Sequence, residues 1–217
     1  MKRAIILLSV ILAAGCCVKS AQGAIITIAI EGVVDHVADP DNYLDGLVNV
    51  GDLITGTYTY NTDTADSTPE YPTVGRYDHF GPPAGIYLTI GGFEFETDTL
   101  NVDFLVAIAN NVTSDGLHDS YWIHSYNNLP LADGTFIGGI FWTLRDYSAT
   151  AVSSIDLPAT APTLDDWGIN RLSFGGGTRA RGFVIEGHVT STVVIPEPGT
   201  LLLFSFGGLI FVRRAKR

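Results

Sequence analysis

The sequence contains very little cysteine. Only two of its 217 residues are cysteines, Cys16 and Cys17, and both lie near the amino terminus. If the chain is cleaved after Gly23, the mature protein has neither a disulfide nor a thiol nucleophile. The region from 24 to 193, 170 residues long, must then be stabilised by its hydrophobic core alone. It is long enough to bury a sizeable one.

Lysine is missing altogether between residues 24 and 193, where five arginines stand against 22 acidic residues. The formal charge of this region is therefore −17, compared with −11 for the whole chain. A surface of that sign repels nucleic acid and anionic lipid. We therefore expect no nucleic-acid partner, and we expect the charge to keep an exported domain in solution.

Recognisable catalytic motifs are also missing. The sequence has no G-x-S-x-G elbow, no H-E-x-x-H and no phosphate-binding loop. Asp165 and Asp166 are a poor pair for glycoside hydrolysis, because neighbouring strand residues point to opposite faces and the two carboxyl groups must converge at about 5 to 9.5 Å. We predict that the protein is not an enzyme and has no cofactor. A secreted hydrolase of unrecognised type is the alternative.

No stretch keeps a helical hydrophobic period over three turns. Apolar residues instead alternate with polar ones at a period of two, as in the run from Ile26 to Glu31, which is typical of half-buried strands. Turn residues such as Asp39-Pro40-Asp41 and Gly91-Gly92 separate these runs. We predict an all-β fold over 24–193, an antiparallel β-sandwich or jelly-roll of about nine or ten strands.

The amino terminus is typical of a secretory signal peptide. Two basic residues near the start precede an apolar run of 11 residues, 4–14. Ala21 and Gly23 form a small-x-small site before Ala24. We therefore predict that residues 1–23 are removed by signal peptidase. A lipoprotein signal, with Ala13-Ala14-Gly15 before a lipidated Cys16, is the alternative, although leucine is usual at the position of Ala13.

The carboxyl terminus combines three features in a fixed order. Pro196-Glu197-Pro198 comes first, and its prolines exclude a helix interior or a central strand. An apolar run from Leu201 to Val212 follows, and the basic end 213–217 closes the chain. As a helix, the 13 residues from 200 to 212 would span about 20 Å, less than the hydrocarbon core of about 30 Å. The segment therefore suits transient membrane insertion, with its basic end in the cytoplasm.

These features make the tail resemble the PEP-CTERM sorting signal of Gram-negative bacteria. The resemblance rests on Pro196-Glu197-Pro198, Gly199-Thr200-Leu201-Leu202, Gly207-Gly208-Leu209 and Arg213-Arg214. It implies that the sorting machinery recognises Pro196, Glu197, Pro198, Gly199, Thr200, Arg213 and Arg214. The resemblance implies that an exosortase, a membrane cysteine transpeptidase, handles residues 194–217 after the general export machinery has acted. A plain single-pass anchor is the alternative.

The resemblance also implies a setting for the exported domain. Proteins with this tail are associated with exopolysaccharide and biofilm. We therefore expect a surface or extracellular-matrix protein that is tethered to the inner membrane during sorting and then reaches the cell surface or the medium. The stretch from Val50 to Asn61 resembles ectodomains that often accompany the tail, which implies a β-sandwich and no particular activity.

The segment 121–126 carries a candidate binding surface. At a period of two, Trp122, His124 and Tyr126 share one face of a strand. Aromatic rings on a sheet face can stack on pyranose rings, although tryptophan and tyrosine also serve in cores. Trp122 and Tyr126 therefore form the possible platform of a carbohydrate-binding module, with exopolysaccharide as its partner. This function is the alternative to a purely structural matrix role.

Acidic loops supply the candidates for a metal. Asp39, Asp41 and Asp45 place oxygen ligands at short spacing, as calcium requires, and calcium would then assist glycan binding. The loop does not fit the twelve-residue EF-hand pattern, and aspartate commonly caps turns. We favour turn capping and predict no metal.

Overall fold

The computed structural model of the protein describes residues 24–114, 116–178 and 181–196. They form ten strands: β1 (Ile25–Ala38), β2 (Leu53–Asn61), β3 (Val74–His79), β4 (Gly85–Ile90), β5 (Phe93–Glu96), β6 (Phe104–Val112), β7 (His118–Ser125), β8 (Ile137–Asp146), β9 (Ile169–Gly177) and β10 (Gly182–Ile195). The one helical segment in these three ranges is a 3-10 turn, Leu164–Asp166. The prediction of an all-β fold is confirmed.

The ten strands pair antiparallel in one sheet, in the order β3-β6-β7-β8-β9-β10-β1-β2-β4-β5. The two halves of this sheet face each other. Tyr58 of β2 packs edge-on against Trp142 of β8, with ring centroids 5.7 Å apart, and Phe95 of β5 packs against Phe174 of β9 at 4.7 Å. One core therefore lies between the halves of a continuous folded sheet.

Alternation along each strand decides which side chains enter that core. In β2, Ile54, Tyr58 and Tyr60 are fully buried. The threonines between them lie on the outer face, where the hydroxyls of Thr55 and Thr89 form a hydrogen bond of 2.8 Å. Burial of each large apolar side chain contributes about 1.5 to 3 kcal/mol. The core thus provides the stability that disulfides provide in many small exported domains.

The long connection between β8 and β9, residues 147–168, closes one side of the core. The hydroxyl of Tyr60 donates to the carbonyl of Pro158 at 2.7 Å, and that of Tyr77 donates to the carbonyl of Ile155 at 2.9 Å. Buried tyrosines need such acceptors, because an unpaired hydroxyl in a core costs about 1 to 3 kcal/mol. The connection is therefore held to the sheet at several points.

Both edge strands form hydrogen bonds with neighbouring loops. At β3, the amide of Ser67 donates to the carbonyl of Arg76 at 2.8 Å, and the amide of Arg76 donates to the Asp66 carboxylate at 3.0 Å. At β5, the amide of Leu129 donates to the carbonyl of Glu96 at 2.8 Å. Loop contacts of this kind reduce the number of edge groups that are open to pairing with another chain.

The last strand leads directly to the proline-rich motif. Val194 pairs with Ile28 and Ile195 with Thr27 of β1, and Pro196 is the next residue. The predicted signal peptide, the Cys16 lipidation site and the tail from Glu197 onward lie outside the described residues. Within the described part of the chain, no helix has the length and apolar character needed to cross a bilayer.

Candidate functional site

Strand β7 separates its side chains between the core and the outer face, as its sequence pattern predicts. Tyr121 and Ile123 are at most 2% exposed and point into the core. Trp122 and His124 are partly buried on the outer face, and Tyr126, just beyond the strand, is 40% exposed. The predicted platform residues are therefore not part of the core.

A fourth aromatic residue joins them from the neighbouring strand. Phe141 of β8 lies opposite His124 in the antiparallel register, and their rings are perpendicular with centroids 4.9 Å apart. The Tyr126 ring lies 5.8 Å from that of His124 and 6.1 Å from that of Phe141. We call the surface formed by Trp122, His124, Tyr126 and Phe141 the aromatic face. The sequence did not predict Phe141, because it does not show which strand pairs with β7.

Small residues flank the aromatic face. Trp122 lies between Ala107 of β6 and Thr143 of β8 in the sheet register. The Phe141 ring lies over Gly139, where a β-carbon would clash with it. These small residues leave room for the large rings, which lie partly buried on the outer face of the sheet.

Charged residues at the borders of the aromatic face occur in pairs. Arg76 lies beyond Ala107 and donates to both oxygens of Asp78, at 2.8 and 2.9 Å. On the opposite border, Arg171 lies beyond Thr143 and pairs with Glu186. Each of these two arginines is thus paired with a carboxylate, in a region with a formal charge of −17.

The imidazole at the centre of the aromatic face is uncharged at neutral pH. Desolvation by the surrounding rings, and to a smaller extent the positive charge of Arg76, lowers the pKa of His124 to about 4. Its Nδ1 atom lies 3.0 Å from the hydroxyl of Tyr126. This hydrogen bond fixes the Tyr126 side chain relative to the strand.

The candidate calcium ligands do not converge. Both oxygens of Asp39 accept backbone N–H groups, from Tyr43 at 2.8 Å and from Leu44 at 2.7 Å. A carboxylate oxygen of Asp41 lies 3.8 Å from a guanidinium nitrogen of Arg181. The carboxylate of Asp45 accepts from the side-chain amide of Asn42 at 3.5 Å. In ranges 24–114, 116–178 and 181–196, no group of three or more acidic, histidine or cysteine side chains could hold a metal ion.

The acids considered for hydrolysis are exposed in the 3-10 turn at Asp165 and Asp166. A separate groove of about 410 Å³ contains more carboxylates, and it is lined in part by Tyr43, Phe93, Asp45, Glu94, Glu96 and Asp133. Three of these acids already accept hydrogen bonds. Asp45 accepts from the Asn42 amide. Asp133 accepts from the amide and the hydroxyl of Thr135, and Glu94 accepts from the Tyr87 hydroxyl at 3.0 Å.

Comparison with protein families identifies the tail. Residues 194–217 match the PEP-CTERM protein-sorting motif, which confirms the resemblance seen in the sequence. The chain is thus an exported protein with an all-β domain, sorted at the membrane through this motif by exosortase-type machinery. Neither a search of curated proteins nor a search of solved structures returned a match.

Proposed function

We propose that the protein is a non-enzymatic component of the cell surface or extracellular matrix, associated with exopolysaccharide in a biofilm. The observation that carries the proposal is the sorting motif at residues 194–217, joined directly to a sheet domain that needs no disulfide in its core. In this function, signal peptidase removes residues 1–23 and the exosortase then acts on the tail.

Intact-mass analysis of the protein purified from its native host tests this delivery. The expected mature chain starts at Ala24 and lacks the apolar run 201–212. In a host without the exosortase, the same run should be retained. Mature protein that keeps its apolar run in the presence of the enzyme would contradict the proposal and favour a permanent anchor.

A second proposed function is binding of carbohydrate by the aromatic face. It is supported by the outward position of Trp122 and Tyr126 beside Phe141. Retention of residues 24–196 on purified exopolysaccharide measures the binding. The Trp122→Ala variant should lose it, whereas Tyr71→Ala removes another exposed aromatic ring, 58% accessible in a loop, and should not. If both variants are retained equally, carbohydrate binding by the aromatic face is wrong, and the structural matrix role is the one that remains.

The purified domain and the exopolysaccharide also test the proposal that the protein is not an enzyme. The purified domain should release no reducing ends from the exopolysaccharide. Release that is lost in Glu96→Gln would instead assign hydrolysis to the groove that contains Tyr43, Phe93 and Glu96.

A further inference from the structure

A hollow lies at the end of the aromatic face, between Tyr126 and Phe136. Both residues are open to solvent, with exposed fractions of 40% and 64%. The hollow measures about 350 Å³, and its other lining residues are Asp98, Asn101, Asn127 and Asn128. It therefore combines two accessible aromatic rings with a polar floor.

Hydrogen bonds between two loops hold that floor in place. The amide of Asp98 donates to the carbonyl of Asn127 at 3.0 Å, and the side chain of Asn127 donates to the carbonyl of Asn101 at 3.0 Å. The side-chain amide of Asn101 then donates to the Asp98 carboxylate at 2.8 Å. Because the polar groups are already fixed, a ligand would not have to order them on binding.

The floor is also anchored to the sheet. Ser125, which is fully buried at the end of β7, donates from its hydroxyl to Asn128 at 2.7 Å. The Asn128 amide donates in turn to the carbonyl of Gly138 in β8. The hollow is therefore attached to the two strands that carry the aromatic face.

The floor offers mainly acceptors. A carboxylate has about four acceptor positions, and that of Asp98 receives two hydrogen bonds, from Leu100 and Asn101. The side-chain oxygens of Asn101 and Asn127 accept none from the described residues. Free acceptors between aromatic rings match a ligand that has hydroxyl donors and an apolar ring face, as a pyranose does.

We propose that the hollow between Tyr126 and Phe136 binds one uncharged sugar unit of a polysaccharide that lies along the aromatic face. The inference rests on the proposed carbohydrate binding and extends it to a sugar class. Tyr126 belongs to both surfaces, and Trp122 lies four residues earlier, about 13 Å away along the strand. The Asp98 carboxylate at the floor disfavours a sugar that carries a carboxylate or sulfate, since like charges repel.

Calorimetric titration of residues 24–196 with neutral oligosaccharides, such as glucan and galactomannan fragments, and with a uronate oligosaccharide tests this inference. Wild-type protein should bind a neutral oligosaccharide and bind the uronate more weakly. Phe136→Ala should weaken neutral binding by about tenfold. Phe80→Ala is the control, because Phe80 is 75% exposed and does not line the hollow. Thermal midpoints of both variants show that they are folded.

The possible results separate the inference from the function on which it rests. Absence of any glycan binding by the wild type overturns both. If Trp122→Ala abolishes binding but neither Phe136→Ala nor Asp98→Asn changes it, the proposed sugar site in the hollow is wrong. Carbohydrate binding by the aromatic face would then still stand. Tighter binding of the uronate than of the neutral sugars overturns the assigned sugar class.

Discussion

His124 shows how burial on an outer sheet face changes the ionisation of a single residue. Its pKa is lowered to about 4 in the folded protein, whereas the unfolded chain has the ordinary value of about 6.5. As the pH falls from about 6.5 to 4, the unfolded state binds a proton that the folded state does not bind. Stability should therefore decrease in that window, by about 1 to 2 kcal/mol after allowance for solvent screening, with no further loss from this residue at lower pH.

Urea denaturation between pH 7 and pH 4 measures this effect, with His124→Phe as the matched variant. The variant keeps an aromatic ring and removes the titrating group, so its stability should fall less steeply. Burial also lowers the pKa of His79, so some slope should remain. Parallel curves for wild type and variant would show that His124 titrates normally.

For single residues, the sequence predicted on which face of a strand a side chain lies, but not which residues it contacts. The period of two placed Trp122 and Tyr126 on one face, because successive side chains of a strand point to opposite faces. It did not predict Phe141, which depends on the pairing of β7 with β8, or Phe136, which comes from a loop. Contacts between strands depend on the order of the sheet, and local pattern contains no information on that order.

At the scale of elements, Asp119 of β7 joins the end of β6 to the connection between β8 and β9. It is fully buried, and its two oxygens accept from the amide of Asn111 at 2.8 Å and from that of Val152 at 3.0 Å. Asp119→Ala should leave both amides without their acceptor. We expect a loss of about 2 to 4 kcal/mol in the free energy of unfolding.

Hydrogen exchange locates the effect of Asp119→Ala. Exchange at Val152 and Asn111 should accelerate more than exchange in β1 and β2, because the lost contacts hold the connection. Ser154→Ala is a control in the same connection, since its hydroxyl bonds only the exposed Asp156. Uniform acceleration of exchange across the sheet would indicate that Asp119 stabilises the whole fold and not specifically the connection between β8 and β9.

The end of β10 sets the boundary between the domain and the tail. The family match begins at residue 194, yet Val194 and Ile195 still pair with β1. A chain that stops after Pro196 should therefore be fully stable. A chain that stops after Thr190 loses these pairs and part of the cover of Ile28, and we expect it to be less stable by about 3 kcal/mol or more. Thermal unfolding of the two truncated chains measures the difference, and equal midpoints would place the boundary earlier.

For the whole molecule, composition and alternation were sufficient to predict an all-β antiparallel fold. They could not predict the order of the strands in the sheet, in which β1 lies beside β10 and β3 lies beside β6. These neighbours are distant in sequence, as the pairs Ile28–Val194 and Tyr77–Val106 show. A single folded sheet and two stacked sheets have the same alternation, so the sequence did not distinguish them.

The charge of the whole domain leads to the last prediction. With a formal charge of −17 between residues 24 and 193, mutual repulsion of acidic groups opposes the compact state. Raising NaCl from about 0.01 to 0.15 M shortens the screening length from about 30 to 8 Å. The thermal midpoint should therefore rise by a few degrees, about 1 kcal/mol at this size.

Calcium chloride at equal ionic strength separates screening from a specific site. Since Asp39, Asp41 and Asp45 do not converge, calcium should raise the midpoint about as much as sodium does, apart from the stronger screening by a divalent ion. A much larger rise that saturates at micromolar calcium would contradict the prediction of no metal. Asp39→Asn would then test whether this acidic loop holds the ion.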